Sequence, residues 1–199
     1  MVRRVPGRAR SAVPGARSGA AAGTVATRAT IQEETVPALD RIPVTLIDGR
    51  ETTFGEWAGK VRLVVNVASR CGFTPQYEQL EALQRRCAER GFTVVGFPSN
   101  QFLQEFGGDD RIAEYCSATW GVTFPMASRT KVNGRGRHPL FAELSRTADA
   151  KGRAGNLRWN FEKFLVLPEG TVHRFRSTTR PDAPEIVEPL EKALPGPAG

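Results

Sequence analysis

Residues 61–67, VRLVVNV, constrain the fold of this chain most, because five of the seven are valine or leucine. A short, nearly continuous apolar run is typical of a strand that is buried on both faces of a sheet. The small and polar residues 68–72 follow, and apolar side chains then recur at helical spacing at Tyr77, Leu80 and Leu83. The pattern predicts a buried strand, a tight turn and a helix, in that order.

Cys71 lies in this turn, between the predicted strand and the predicted helix. A thiol at that place meets unpaired backbone N–H groups and the positive end of a helix dipole, and both favour the thiolate. The thiolate is the nucleophilic form of cysteine, so Cys71 is a candidate reactive residue. The alternative, on these residues alone, is a small side chain that fits a tight turn.

The rest of the chain supplies strands and helices on both sides of this unit. A strand–helix–strand half joined to a strand–strand–helix half is the thioredoxin arrangement, so we expect an α/β thioredoxin fold, with a central mixed sheet flanked by helices and an N-terminal β-hairpin extension. The predicted elements are a hairpin around Asp48-Gly49, strand 61–67, a helix over 75–90, strand 92–98, helices over 109–120 and 139–148, a loop over 149–158, a hairpin turning at Glu169-Gly170, and a helix over 182–194 with a kink or a late start at Pro189.

The N-terminal residues differ in composition from the rest of the chain. The net charge is +7, and residues 1–30 hold six arginines and no acid, so the remainder carries only 7 − 6 = +1. We therefore expect residues 1–35 to be a disordered tail, residues 36–195 to be the folded domain, and residues 196–199 to be a disordered C-terminus. A nearly neutral domain does not indicate nucleic-acid binding.

The composition also allows an expectation about the cellular location of the protein. No stretch is long and apolar enough to span a membrane, so no stable membrane insertion is expected. Three cysteines without a secretory signal suggest reduced thiols, and we expect a cytoplasmic protein. Organelle targeting by the arginine-rich tail is the alternative.

Four stretches together resemble the glutathione peroxidase family over roughly residues 37–194. They are NVASRCGFTPQY (66–77), GFPSNQF (96–102), WGVTFPM with KVNGRGRHPLF (120–141), and LRWNFEKFLV (157–166). The resemblance implies a thiol peroxidase with antioxidant and oxidative-stress roles, which reduces hydrogen peroxide and organic or lipid hydroperoxides. It also implies that Cys71 is the peroxidatic residue, with Gln101, Trp159 and Asn160 around it.

The chemistry of these side chains agrees with that reading. An indole N–H and two carboxamide groups are neutral donors that can stabilise a thiolate and the charge that develops on peroxide oxygens. Attack on a peroxide leaves a sulfenic acid at the cysteine.

The resemblance to members that thioredoxin reduces implies that Cys116 is the resolving cysteine. Cys116 is 45 residues from Cys71 and lies in the predicted helix over 109–120. A disulfide needs Cα atoms within about 7 Å, so we expect this helix to open during the cycle. Cys87 shares the apolar helix face of Leu80 and Leu83 and is interpreted as structural, with a resolving role as the alternative.

Two departures from the family pattern concern the surroundings of the site. The family reads N-Q-F-x-x-Q-E-P-G, whereas residues 100–107 are one residue shorter and carry Phe106 in place of proline. The stretch over 142–157 lacks the long insertion of tetrameric members. This absence predicts a monomer with an open site that admits bulky hydroperoxides and a protein reductant.

The expected partners are a hydroperoxide and a thioredoxin-like protein, without an organic cofactor. A one-cysteine enzyme that uses glutathione directly, and a peroxide sensor that relays oxidation to a partner protein, are the alternatives. The two histidines, His138 and His173, are isolated, so no metal site is expected.

Overall fold

The computed structural model describes residues 38–105 and 107–196. The predicted tail over residues 1–35, the substituted position Phe106 and residues 197–199 lie outside the described residues. The strands are β1 (Pro43–Thr45), β2 (Glu51–Thr53), β3 (Val61–Val67), β4 (Phe92–Pro98), β5 (Lys163–Val166) and β6 (Val172–Phe175), and the α-helices are α1 (Gln76–Cys87), α2 (Asp109–Trp120), α3 (Pro139–Leu144) and α4 (Pro184–Ala193). Short 3₁₀ turns cover Ala38–Arg41, Phe54–Trp57 and Ala88–Arg90.

Strands β3 to β6 form one mixed sheet in the order β4-β3-β5-β6. Strand β3 pairs parallel with β4 and antiparallel with β5, and β5 pairs antiparallel with β6. Strands β1 and β2 form a separate antiparallel hairpin. This topology confirms the predicted thioredoxin fold with its N-terminal hairpin.

Two apolar clusters cover the two faces of the sheet, which explains why β3 is buried along its whole length. Leu63, Val65 and Val67 pack in the cluster that includes residues of α1, α2 and α4. Val64 packs in the other cluster, with residues of the hairpin and of α3. Alternate side chains of one strand therefore serve both faces.

Most predicted elements are confirmed, and two helix boundaries were wrong. Helix α3 ends at Leu144 and does not continue to residue 148, because the Arg174 guanidinium binds the carbonyls of Ser145 and Thr147, both at 3.3 Å. Helix α4 begins at Pro184 and not at Pro189.

The start of α4 has a clear physical reason. Pro184 stands in the first turn, where a proline loses no intrahelical hydrogen bond. Pro189, inside the helix, gives up one such bond. Ile186 and Leu190 are fully buried and hold the helix on the sheet across that position.

A buried ion-pair network connects the C-terminal hairpin to the loop over 149–158. Glu162 and Arg174 have no exposed side-chain area, and their charged atoms lie 2.9 Å apart. Arg176 bridges Glu162 at 2.9 Å and Asp149 at 2.7 Å. The pKa of Asp149 is lowered by hydrogen bonds from Arg153 and Arg176. These ion pairs and hydrogen bonds fix the loop over 149–158, which has no regular secondary structure.

We expect Glu162→Gln to lower the free energy of unfolding by about 3–5 kcal/mol, because the substitution leaves the charge of Arg174 buried without its carboxylate. Urea denaturation followed by circular dichroism measures the change. Glu169→Gln, in the exposed turn of the same hairpin, is the matched control and should stay within about 0.5 kcal/mol of the parent. Equal midpoints for both variants would contradict the role given to the network.

Candidate active site

Cys71 lies in the turn between β3 and α1, with 7% of its surface exposed. The backbone N–H of Cys71 donates to Thr74 Oγ1 at 2.9 Å, and that hydroxyl donates to the Ala68 carbonyl at 2.9 Å. The backbone N–H of Phe73 points at the Cys71 sulfur, at 3.4 Å. The thiol therefore meets a backbone donor, as the sequence predicted, in a turn that Thr74 fixes.

A buried carboxylate fixes the residues just before Cys71. Glu105 is 1% exposed and accepts hydrogen bonds from the Ser69 backbone N–H at 2.9 Å and the Ser69 hydroxyl at 2.7 Å. Burial raises the pKa of Glu105, and the bonds from Ser69 act in the opposite direction. The Arg70 backbone N–H also donates to the Gln104 carbonyl at 3.0 Å. The loop after β4 is thus joined to the cysteine turn at two consecutive residues, Ser69 and Arg70.

Asn160 and Gln104 meet through their side chains. The Asn160 Nδ2 group donates to Gln104 Oε1 at 2.9 Å, and Asn160 is fully buried. The other carboxamide atom, Asn160 Oδ1, is buried without a hydrogen-bond partner among the described residues. A buried acceptor without a partner is energetically costly, so Asn160 Oδ1 is an exception among the buried polar atoms of this segment.

Trp159 stands next to this pair and is 40% exposed. The Phe102 ring lies 5.5 Å from the Trp159 ring, centroid to centroid, at a tilt of 43°. The indole is therefore held by an aromatic neighbour and remains open to solvent on one side.

Gln101 is not brought to Asn160. Its Oε1 accepts the backbone N–H groups of Val132 and Asn133, both at 2.6 Å, and its Nε2 donates to the Asn133 carbonyl at 3.0 Å. The carboxamide that the sequence analysis assigned to the site is engaged in holding a surface loop. Gln104 is the glutamine that contacts Asn160.

Asn66 was missed by the sequence analysis, although it is the polar exception inside an apolar strand. Its Nδ2 donates to the Trp159 carbonyl at 3.0 Å, and its Oδ1 accepts the Glu162 N–H at 2.9 Å. The Asn66 carbonyl accepts the Phe161 N–H at 2.6 Å. Asn66 therefore places Trp159 and Asn160 beside the strand that leads to Cys71. The signal that could have identified Asn66 is a single amide residue within an otherwise apolar strand.

Lys163 also fixes the backbone directly after Asn160. The side chain is fully buried, and Nζ donates to the carbonyls of Phe161 and Thr179, both at 2.7 Å. Burial lowers the pKa of Lys163 to about 7, while the Glu162 charge acts in the opposite direction. The backbone directly after Asn160 is thereby tied to the segment over 177–179.

Cys116 lies within α2, 1% exposed, with its thiol beside the phenol of Tyr77. Burial raises the pKa of Cys116 to about 11, the interaction with Tyr77 opposes the rise, and the Glu105 charge adds to it. The Tyr77 ring stacks on Trp120 at 6.1 Å. All three cysteines are free thiols, so the structure shows the reduced state.

The remaining candidates have structural surroundings. Cys87 is fully buried at the end of α1, among the apolar residues of the sheet face. The His138 Nδ1 caps α3 by accepting the Leu140 N–H at 3.2 Å, and burial lowers the pKa of His138. His173 is half-buried on β6.

Among residues 38–105 and 107–196, no group of three His, Cys, Asp or Glu side chains is placed to hold a metal ion. Over the same residues, none of the helices has the length and apolar character needed to cross a membrane.

The model of the family described as glutathione peroxidase matches residues 40–145. The chain belongs to the glutathione peroxidase family. It is therefore a peroxidase, an oxidoreductase that acts on a peroxide. In this family context, the Cys71 turn and the pair formed by Asn160 and Gln104 are its candidate active site.

Relatives and solved structures agree with this membership. The thioredoxin/glutathione peroxidase BtuE of Escherichia coli is 49% identical, over 74% of this chain and 92% of that protein. The hydroperoxy fatty acid reductase gpx1 of Synechocystis is 46% identical, over 74% of this chain and 90% of that protein. The crystal structure of Trgpx in apo form is similar with a TM-score of 0.61 and 35% identity, covering 79% of this chain and 97% of that one.

We expect iodoacetamide to modify Cys71 before Cys116 and Cys87 in the reduced, folded protein. A pKa of about 11 leaves roughly one Cys116 thiol in a thousand ionised at pH 8, and only the thiolate reacts. Peptide mass spectrometry after timed quenching gives the order. Labelling in urea is the control, in which all three cysteines should react. Modification of Cys116 ahead of Cys71 would contradict the environments described above.

Proposed function

We propose that Cys71 reduces hydrogen peroxide and organic or lipid hydroperoxides, that Cys116 resolves the oxidised Cys71, and that a thioredoxin-like protein regenerates both thiols. The observation that carries the proposal is the junction of three segments. The Arg70 backbone, beside Cys71, binds Gln104, and Gln104 in turn binds Asn160. These two bonds connect the segment that contains Asn160 to the turn that holds the thiol, which supports the proposal.

The first step forms an S–O bond and breaks the O–O bond. The Cys71 thiolate attacks one peroxide oxygen, and the other oxygen leaves as an alkoxide or hydroxide, which takes a proton from water. Cys71 becomes a sulfenic acid, and the peroxide is reduced to an alcohol or to water. The Trp159 indole N–H and the carboxamide N–H₂ groups of Asn160 and Gln104 stabilise the charge that develops on the oxygens.

The unpartnered Asn160 Oδ1 supports a binding mode for the substrate. The O–H of a hydroperoxide is the donor that this buried oxygen lacks.

The second step forms a disulfide and releases water. The Cys116 thiol attacks the sulfenic sulfur of Cys71, and the hydroxyl leaves as water. The high pKa of Cys116 inside the closed helix disfavours this attack, because the thiol is mostly protonated there. Opening of α2 exposes Cys116 to water and removes the effect of burial. A dithiol protein then reduces the disulfide with two electrons and two protons.

The choice of reductant rests on Cys116 and on the relatives. The E. coli relative is named a thioredoxin/glutathione peroxidase, and the Saccharomyces cerevisiae relative HYR1 is named a glutathione peroxidase-like peroxiredoxin. The short stretch over 142–157 supports a monomeric enzyme. We also propose a cytoplasmic location.

We expect both Cys71→Ser and Cys116→Ser to abolish peroxide consumption supported by thioredoxin, its reductase and NADPH. NADPH oxidation at a fixed peroxide concentration measures the activity. Cys87→Ser is the matched control and should keep it, because that thiol is buried away from the turn. Full activity of Cys71→Ser would overturn the proposal. Activity with glutathione and its reductase that survives Cys116→Ser would establish the one-cysteine route.

We expect Gln104→Ala to lower the second-order rate constant of Cys71 oxidation about ten- to hundredfold, because it removes one donor from the developing charge. Stopped-flow tryptophan fluorescence with hydrogen peroxide gives the rate constant. Gln101→Ala is the comparison. It should lower the thermal midpoint, because the N–H groups of Val132 and Asn133 lose their acceptor, and leave the rate constant within about twofold. A larger loss of rate with Gln101→Ala would restore the assignment made from the sequence.

A further inference from the structure

Lys163 is a buried lysine that has no acidic partner. Its side chain is fully buried, and no carboxylate among the described residues forms an ion pair with it. The Nζ atom faces backbone carbonyls instead, those of Phe161 and Thr179 at 2.7 Å and that of Ser177 at 3.4 Å. Lysine is almost never fully buried unless it is paired, because the removal of an ammonium from water is energetically costly. Ionisable groups in such surroundings cluster at functional sites.

The first of these carbonyls lies directly beside the candidate donors. Phe161 follows Asn160 in the chain and has a φ angle of +62°, which is disfavoured for an aromatic residue. Its N–H donates to the Asn66 carbonyl at 2.6 Å, and its carbonyl accepts a hydrogen bond from the Lys163 ammonium. The backbone on both sides of Phe161 is therefore held in a conformation that the chain alone disfavours.

The Ser177 carbonyl connects Lys163 to the helix that follows Cys71. This carbonyl faces the Lys163 Nζ atom and also accepts a hydrogen bond from Gln76 Nε2 at 2.8 Å. Gln76 is the first residue of α1 and lies five residues after Cys71. Through these bonds, Lys163 links the segment that contains Asn160 to the start of α1. This link is separate from the one that runs through the loop after β4.

The number of donors on Lys163 depends on its protonation. An ammonium has three N–H bonds, one for each of the three carbonyls, whereas a neutral amine has two and carries a lone pair. Loss of the proton therefore leaves one buried carbonyl without its donor, which is energetically unfavourable. The link between the two segments is then weaker.

Several ionisable groups lie on the elements packed against Lys163. Burial lowers the pKa of Lys163 to about 7, and the charge of Glu162, the preceding residue, opposes this effect. The Tyr77 phenol on α1 has a pKa well above its usual range and stays neutral. The other groups are His173 on β6 and members of ion pairs, namely Arg174 and Arg176 with Glu162, and Arg180 with Asp182. Near pH 7, the proton of Lys163 is therefore the one that changes the donors at these carbonyls.

We propose that Lys163 is a positioning residue of the peroxidase: its ammonium fixes the Asn160 segment relative to the turn that contains Cys71, and loss of its proton slows the reaction of Cys71 with peroxide. This inference rests on the proposed function and adds a dependence on the protonation of one buried group. Lys163 acts through the backbone of Phe161 and Ser177, and not on the peroxide itself.

The first test is kinetic. Lys163→Met keeps an unbranched side chain and removes the charge and its donors. We expect the second-order rate constant of Cys71 oxidation by hydrogen peroxide, from stopped-flow tryptophan fluorescence at pH 6, to fall at least about tenfold. The urea midpoint should stay within about 0.5 M of the parent, because the loss of a costly buried charge offsets the loss of hydrogen bonds. Lys60→Met, at an exposed lysine before β3, is the matched control and should change neither quantity.

The pH profile separates the proposed role from a structural one. Ionisation of Cys71 affects the parent and Lys163→Met alike, so it largely cancels in the ratio of their rate constants. We expect the ratio of parent to variant to fall at least about threefold from pH 6 to pH 9, as Lys163 in the parent loses its proton. A constant ratio would overturn the proposal. So would a variant whose rate constant at pH 6 stays within about twofold of the parent, or one whose urea midpoint falls by more than about 1 M.

A titration that needs no turnover tests the link itself, in Cys71→Ser labelled with [¹³Cε]lysine. Lys163 should titrate at least about two pH units below the other lysines. The Asn160 side-chain ¹⁵N–¹H₂ signals, identified by their loss in Asn160→Asp, should shift at the same midpoint. The chain has five lysines, and the other four are exposed and should titrate near about 10.4, namely Lys60, Lys131, Lys151 and Lys192.

Glu105 is the control for this titration, because its pKa is also raised and it follows Gln104, which binds Asn160. A shift caused by Lys163 should disappear when Lys163→Met is added to Cys71→Ser. Asn160 signals that do not move with Lys163, or a Lys163 that titrates with the exposed lysines, would overturn the proposal. A parent enzyme that consumes no peroxide would instead overturn the proposed function, while the titration would still test the link between Lys163 and Asn160.

Discussion

Asn66 lies in the central strand of the sheet and joins the two segments that carry the active site. Its carboxamide binds the Trp159 carbonyl at 3.0 Å and the Glu162 N–H at 2.9 Å. The Asn66 side chain is fully buried, so an unmade bond would leave a buried polar group without a partner, which is energetically costly. The segment that contains Trp159 and Asn160 therefore has one register against β3. Because β3 also leads directly into Cys71, the same contact sets the position of the donors relative to the thiol.

Ion pairs and hydrogen bonds hold the irregular segments that flank Asn160. Glu162 and Arg174 form a fully buried pair, and Lys163 donates to the carbonyls of Phe161 and Thr179. Phe161 itself has a φ angle of +62°, which is a disfavoured backbone conformation for an aromatic residue. The surrounding bonds stabilise that conformation. The segment over 159–163 is therefore held rigidly. The turn that contains Cys71 is also held, over several consecutive residues.

The proposed resolving step requires α2 to open, whereas the rest of the site is rigid. Cys116 is buried there beside Tyr77, whose ring stacks on Trp120. Burial raises the pKa of this thiol to about 11 and so keeps it mostly protonated, although the interaction with Tyr77 acts in the opposite direction. Residues 117–119 on the same helix are exposed and make few contacts with the core, so opening this turn loses little buried apolar area. Cys71 and Cys116 thus belong to one apolar cluster.

The amino-acid sequence by itself determined most of the strands and helices, the place of Cys71 between a strand and a helix, and the family, because hydrophobic period and motif order are local properties of the chain. It located β3, β4 and α2 at the bounds that the structure gives, and it extended α1 three residues too far, to residue 90, where a short 3₁₀ turn follows Cys87. It assigned Gln101 to the site and did not show that Gln104, three residues along the same loop, contacts Asn160, which is 56 residues away in the chain. Only the tertiary structure shows that contact, because contacts between distant segments depend on how the backbone of each loop turns. The left-handed backbone of Leu103, with a φ angle of +58°, and the buried role of Asn66 were decided in the same way.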